Sequence, residues 1–181
     1  DPSLIHVNNS AGMLAYKNFF SSGRLGIAMY GLTPYDGELP IQLKQAFSLH
    51  AKITNVKLIE AGEAVGYGAT YVAKKPEYIA TIAIGYADGW IRAHKGRVVS
   101  INGLRYKTVG NVCMDQLMIL VDGSVKIGDE VSLINDDITV DEVAKDLNTI
   151  NYEIVCSISD RVPRVFIKDG AVIKTNNDRF D

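Results

Sequence analysis

Arg97-Val98-Val99-Ser100-Ile101-Asn102-Gly103-Leu104-Arg105-Tyr106 holds two runs of strand-forming residues separated by Asn-Gly. An Asn-Gly link is a strong hairpin signal, because both central positions of the favoured turn need φ > 0 and these residues tolerate it. The device recurs at Asp169-Gly170, between Phe166 and Lys174. Working outward, Leu117–Val121 and Glu130–Ile134 read as further strands, punctuated by Asp122-Gly123 and Gly128-Asp129. Residues 79–84 are apolar, and residues 48–59 alternate in part, as in His50-Ala51-Lys52-Ile53-Thr54. One segment breaks the pattern. Thr139 begins a capping box with Glu142, and Val140, Val143 and Leu147 follow on one face, which predicts a short helix. The chain is therefore expected to be mainly β, with residues 43–181 forming an antiparallel β domain that carries one short helix.

The first forty residues read differently. Residues 4–7 predict a short buried strand ending in the polar turn Asn8-Asn9-Ser10. Residues 11–20 predict a helix stopped by Ser21-Ser22-Gly23, and the glycine-interrupted apolar run 25–32 predicts a second strand. A strand–helix–strand unit of this size is βαβ-like and needs neighbouring parallel strands to cover it. Residues 1–42 are thus expected to be the last elements of a larger α/β domain. Pro34, Asp36-Gly37 and Pro40 mark residues 33–42 as its linker to the β domain.

Composition narrows the function. The 181-residue chain is 47% hydrophobic and carries a net charge of −2 without a long Lys/Arg block, which argues against nucleic acid or an anionic membrane as main partner. No apolar run is long enough to cross a bilayer as a helix. Cys113 and Cys156 lie far apart in apolar strings, so buried free thiols in a reducing, cytoplasmic setting are expected. His6, His50 and His94 show no paired ligand spacing, so no metal site is expected.

Several residues are candidates for chemistry. Tyr67 stands between Gly66 and Gly68, so nothing bulky screens its phenol. A phenol, with an ordinary pKa of ~10, works as a base near neutrality only where cations or hydrogen bonds favour the phenolate. The plain alternative is a tyrosine at a β-bulge beside turn glycines. Arg24 opens the second predicted strand, where a fixed guanidinium suits an anion or a ring nitrogen, and His6 is placed to brace it; a surface arginine and a core histidine are the plain readings. Ser10, with the amides of Gly26 and Ile27, suits a phosphate cradle, though Asn-Asn-Ser is also an ordinary helix cap. Tyr86 is a second glycine-flanked tyrosine, beside Asp88 and the single tryptophan Trp90. In Gly110-Asn111-Val112-Cys113-Met114-Asp115-Gln116 two carboxamides and a carboxylate interrupt a strand-like run, so the Met114 amide and Asp115 can line a polar cleft; a bulged edge strand is the alternative.

Taken in order, the segment 6–10, Arg24-Leu25-Gly26-Ile27-Ala28-Met29-Tyr30-Gly31, Tyr67-Gly68-Ala69-Thr70-Tyr71, the segment 84–90, Cys113-Met114-Asp115-Gln116, Asn151-Tyr152-Glu153 and Arg161-Val162-Pro163-Arg164 resemble bacterial alanine racemase. The resemblance covers essentially the whole chain. It implies a fold of an N-terminal (β/α)₈ barrel followed by a C-terminal β domain, of which this chain matches only the last barrel strands and the β domain. It implies pyridoxal 5′-phosphate as cofactor, L- and D-alanine as substrates, D-alanine supply for peptidoglycan, and a homodimer with shared sites. By the same resemblance Tyr67 is one of two catalytic bases, acting in the partner subunit's site. Arg24 contacts the cofactor's pyridine nitrogen and His6 braces it. Ser10, Gly26 and Ile27, with Asn9 beside them, contact the phosphate. The Met114 backbone meets the substrate carboxylate, and Tyr86 and Asp115 surround the narrow mouth of the site. An amino-acid decarboxylase on a similar plan is disfavoured by Arg24, since such enzymes place a carboxylate at the ring nitrogen.

Two departures carry expectations of their own. The imine-forming lysine of the family sits in a Lys-x-Asn-Ala-Tyr-Gly-like segment that this chain does not contain; Lys74 and Lys75 lie in the wrong context. This polypeptide is therefore expected to be a fragment, or one piece of a split enzyme, and inactive alone, with a non-catalytic β module as the alternative. Asp160 occupies a position where well-known members carry a phosphate-contacting tyrosine. A carboxylate would repel phosphate if turned inward, so Asp160 is expected to pair with an arginine or face the mouth, leaving room for the hydroxyl of serine as a second substrate.

Overall fold

The computed structural model describes residues 5–16 and 22–177. Its first elements are β1 (His6–Asn9), α1 (Ser10–Ala15) and β2 (Ser22–Arg24), and β1 pairs with β2 in parallel. The predicted strand–helix–strand order is present, but its details differ. Asn8 and Asn9 belong to β1 rather than to a turn, and Asn9 caps α1 by accepting from the Gly12 N–H at 2.9 Å. Residues 17–20 of the predicted helix, and Ser21 of its stop signal, lie outside the described residues. The predicted strand over 25–32 is instead a 3₁₀ turn at Ile27–Tyr30, closed by Gly31 at φ 71°. The predicted burial of the first strand also fails: Val7 is 56% and Ile5 49% exposed. Two paired strands expose a face unless layers cover both sides, and only the short α1 lies against them among the described residues, its Met13 reaching Gly23 of β2.

Residues 33–48 contain no helix or strand, as their prolines require, although the stretch is tied down. The buried Asn151 amide donates to the Thr33 carbonyl at 2.8 Å and to Asp141 Oδ1 at 2.7 Å. The β domain follows, beginning with β3 (Leu49–Ile59), β4 (Ala64–Val65), β5 (Tyr71–Val72) and β6 (Glu77–Ile82). Next come β7 (Val98–Ile101), β8 (Leu104–Val109), β9 (Leu117–Val121) and β10 (Glu130–Ile134). Six of these strands close an antiparallel barrel in the order β10-β3-β6-β9-β8-β7. Closure leaves no unpaired edge, which is how a small β domain avoids templating aggregation. Inward positions of successive strands fill it: Ile53, Ile82, Val99, Ile101, Leu117, Ile119, Val131 and Leu133 are each at most 1% exposed. Truncating such a residue to Ala typically costs ~2–5 kcal/mol.

Both predicted two-residue turns form. Asn102 and Gly103 sit at φ 51° and 79°, Asp169 and Gly170 at 51° and 79°. The second joins β11 (Arg164–Lys168) to β12 (Ala171–Asn176), a hairpin apart from the barrel. Two helices, not one, pack on the barrel: α2 (Val140–Asp146), capped by Thr139 Oγ1 accepting from the Glu142 N–H at 3.1 Å, and α3 (Asn151–Ser157). Helix α3 escapes sequence reading because its cap residue, Ile150, offers no side-chain acceptor. It leaves Cys156 exposed, against expectation, whereas Cys113 is buried; both are free thiols. Among the described residues no helix is long and apolar enough to cross a membrane.

Trp90 is fully buried and stacks on His94, ring centroids 3.6 Å apart at 8°. His94 is 2% exposed, and burial together with the Arg97 charge lowers its pKa to about 3. Arg97, itself buried, ion-pairs with Asp146 of α2.

Candidate active site

Tyr67 sits at the tip of a small arm built from β4 and β5, in a 3₁₀ turn over Tyr67–Ala69. The turn needs its glycines. Gly66 has φ 72°, Gly68 has φ 75°, and a Cβ on Gly66 would meet Met118 Cε at 2.8 Å. The plain bulge reading does not describe this arrangement. At the base of the arm Gly62 donates to the Ala73 carbonyl and Ala73 to that of Glu63, at 2.8 and 2.9 Å. Tyr71 Oη donates to Glu77 Oε2 at 2.5 Å, which fixes the arm to β6. Burial, then this hydrogen bond and the Glu77 charge, push the Tyr71 phenol up to about 12, so it stays a protonated structural donor. The other phenol, that of Tyr67, is 78% exposed.

Two loops meet beside that tip. The turn Tyr86–Asp88 is zipped to the 113–114 segment: Tyr86 N–H donates to the Cys113 carbonyl and Ala87 N–H to that of Met114, both at 3.0 Å. They approach so closely that a Cβ on Gly85 would lie 2.3 Å from the Cys113 oxygen. Asp88 ties this turn together. Its Oδ2 accepts from the Gly85 N–H at 2.9 Å and its Oδ1 lies 3.4 Å from Arg161 Nε. Arg161 also donates to Asp115 Oδ1 at 2.5 Å, and that bond raises the guanidinium pKa above its ordinary range. Arg161 thus pins the 113–116 loop to the 86–88 turn. Among the described residues the Met114 N–H meets no protein acceptor, so the zipped loops present a free donor. Tyr67, Tyr86, Arg92, Asn111, Met114 and Asp115 line one cleft of about 410 Å³.

Asp160 is exposed, and Arg161 turns to Asp88 and Asp115 rather than to it. Of the two expected placements, pairing with an arginine is not seen among the described residues.

The second cluster lies at the β1–β2 end. Ser10 is 3% exposed, and its Oγ accepts from the Gly26 N–H at 2.9 Å and the Ala28 N–H at 3.5 Å. The Ile27 N–H meets no protein acceptor among the described residues. Arg24 Nη1 donates to the Val7 carbonyl at 3.1 Å and lies 3.4 Å from both the His6 carbonyl and His6 Nδ1. His6 and Arg24 are therefore neighbours, as their sequence positions suggested. A buried hydroxyl and a free backbone donor, with no carboxylate paired to them among the described residues, suit an oxyanion, and the Arg24 guanidinium adds a fixed cation at the end of β2. These residues fit a phosphorylated, nitrogen-containing cofactor. The two clefts described here that Tyr67 lines include no residue of 5–31 among the described residues.

Comparison with known proteins places this geometry. Residues 46–166 match the family model described as the alanine racemase C-terminal domain. Curated alanine racemases from Halalkalibacterium halodurans and Anoxybacillus flavithermus are 53% and 48% identical, over 96% and 97% of this chain. The chain spans about half the length of these relatives, 47% and 48%. A crystal structure of alanine racemase from Bacillus anthracis with bound L-Ala-P superposes with a TM-score of 0.91 at 45% identity, covering 98% of this chain and 48% of that one. One from Bartonella henselae, with covalently bound pyridoxal phosphate, superposes at 0.79 and 35% identity, covering 90% of this chain and 46% of that one.

Proposed function

The chain belongs to the alanine racemase family, and on that premise we propose that it is the C-terminal part of a pyridoxal-phosphate-dependent racemase interconverting L- and D-alanine. Residues 1–42 then end the cofactor-binding barrel, and residues 43–181 are the C-terminal β domain. The observation that carries the reading is that the exposed Tyr67 phenol and the free Met114 N–H share one cleft.

Pyridoxal phosphate, when bound, supplies the electron sink that acidifies the α-proton of an amino acid. The residues of this chain do the rest. Ser10 and Ile27, with Gly26 and Asn9 beside them, would hold the phosphate. Arg24 would donate to the ring nitrogen without protonating it, since a guanidinium does not give up its proton readily, and this would restrain chemistry beyond proton transfer. His6 holds Arg24 in place. The Met114 N–H orients the substrate carboxylate. Tyr67 takes or returns the α-proton on one face, and inversion requires a second acid/base on the other. That second group, the cofactor lysine, comes from chain other than these residues. The separation of the Tyr67 cleft from the Arg24 cluster supports a site completed between two subunits. Tyr86, Asp115 and Asp160 line the mouth, and the product serves cytoplasmic D-alanine supply for peptidoglycan.

Joining this chain to the half of the Halalkalibacterium halodurans relative that it does not match tests the reading. The fusion is expected to form D-alanine from L-alanine, followed by chiral chromatography. A fusion that binds the cofactor yet leaves alanine unchanged would refute the assignment. In the same fusion, Asp160→Tyr is expected to lower the serine-over-alanine ratio of kcat/KM by about tenfold. Equal ratios in the two enzymes would remove the basis for serine as a second substrate.

A further inference from the structure

The Tyr67 side chain has no hydrogen-bond partner among the described residues, so the position of its phenol is set by the backbone that carries it. That backbone is demanding: Gly66, Gly68 and Ala69 all have positive φ, and the only hydrogen bond internal to the turn, from the Ala69 N–H to the Gly66 carbonyl, is long at 3.4 Å. The tighter restraint comes from outside. Asn111 Nδ2 donates to the Tyr67 carbonyl at 2.8 Å. The other end of the same carboxamide is fixed, since Lys95 Nζ donates to Asn111 Oδ1 at 2.9 Å. With Lys95 on its oxygen, the amide presents its nitrogen, and not its oxygen, to Tyr67. Asn111 also lines the cleft that holds Met114.

We propose that Asn111, oriented by Lys95, is a positioning residue for Tyr67: it clamps the tip of the arm so that the phenol is presented at a fixed place in the Met114 cleft. The inference rests on Tyr67 being one of the acid/bases. Proton transfer is sensitive to displacement of the base, so a loosened tip lowers turnover while leaving substrate affinity, which belongs to other residues, in place.

The discriminating variant is Asn111→Asp. It keeps the shape and the Lys95 contact but replaces the N–H donor with an oxygen that repels the Tyr67 carbonyl. In this chain, chymotrypsin cleavage after Tyr67 is expected to speed up about tenfold in Asn111→Asp, with thermal unfolding unchanged, because one hydrogen bond of this kind governs opening of the tip by roughly that factor. In Lys95→Met the increase is smaller, because the amide retains its donor. In the fusion enzyme, Asn111→Asp is expected to lower kcat about tenfold with little change in KM, and to raise the α-deuterium isotope effect for one alanine enantiomer. Unchanged cleavage, or faster cleavage with kcat and isotope effects as in the parent, overturns the proposal. Tyr67→Phe run alongside separates the two levels. If Tyr67→Phe is inactive and Asn111→Asp is unaffected, the clamp fails and the base assignment survives. If Tyr67→Phe is fully active, the base assignment itself fails.

Discussion

Tyr67→Phe in the fusion enzyme is expected to slow alanine interconversion in both directions by about two to four orders of magnitude, the usual contribution of one positioned acid/base. The substitution removes an oxygen that is 78% exposed and makes no hydrogen bond among the described residues, so the fold should not notice it. The arm is held by other bonds, those of Tyr71 with Glu77 and of Asn111 with the Tyr67 carbonyl. The comparison variant is Tyr71→Phe, which removes the neighbouring phenol from its pairing with Glu77. It should loosen the arm and lower activity far less. Initial rates measured from each enantiomer, with unfolding midpoints as controls, check the contrast. Two variants of equal rate would show that the Tyr67 hydroxyl has no special part.

The largest effect on stability is expected from pH. His94 is buried against Trp90 and titrates at about 3 in the folded chain, against 6.5 for an ordinary histidine, because burial and then the Arg97 charge disfavour the imidazolium. The unfolded chain therefore binds a proton that the folded chain refuses between those two values. Stability is fully present above about pH 6.5 and declines as pH falls towards 3. The gap between 6.5 and about 3, at ~1.4 kcal/mol per pH unit, corresponds to a loss on the order of 5 kcal/mol once pH lies below both values. That is a large share of the ~5–15 kcal/mol that keeps a domain folded. Trp90, the single tryptophan, lies against His94 and reports the event. Urea unfolding followed by its fluorescence should show a midpoint that drops steadily from pH 6.5 to pH 4. His94→Gln should flatten that slope even though it lowers stability at pH 7. A slope that survives His94→Gln would assign the acid sensitivity to carboxylates elsewhere.

What the sequence made legible was local. Asn102-Gly103, Asp169-Gly170 and the Thr139 cap each specify their conformation within four residues, and all three form. Helix α3 has no such signal, because Ile150 cannot cap, and its apolar face is legible only once the barrel it packs on is known. The run 25–32 looked like a strand by hydropathy, but Gly31 at φ 71° turns the chain where a Cβ would strike the Lys44 carbonyl at 1.6 Å. Barrel closure depends on β10 pairing with both β3 and β7, long-range contacts that no local pattern encodes. The candidate site divides in the same way. Tyr67, Arg24, His6 and Ser10 stand out by residue type and local context. The Asp88–Arg161–Asp115 bridge does not, because its members are scattered along the chain and each alone reads as surface charge. Asn111 drew notice as a carboxamide in an apolar run, but its bond to the Tyr67 carbonyl spans 44 residues and is visible only in three dimensions.

The fate of the α-proton decides whether the Tyr67 phenol transfers it. With Tyr67→Phe in the fusion enzyme and D₂O as solvent, one alanine enantiomer should still exchange its α-hydrogen for deuterium through the remaining base, without inversion, while the other exchanges hardly at all. Exchange and inversion of both enantiomers at parental rates would contradict a proton-transfer role for the Tyr67 phenol.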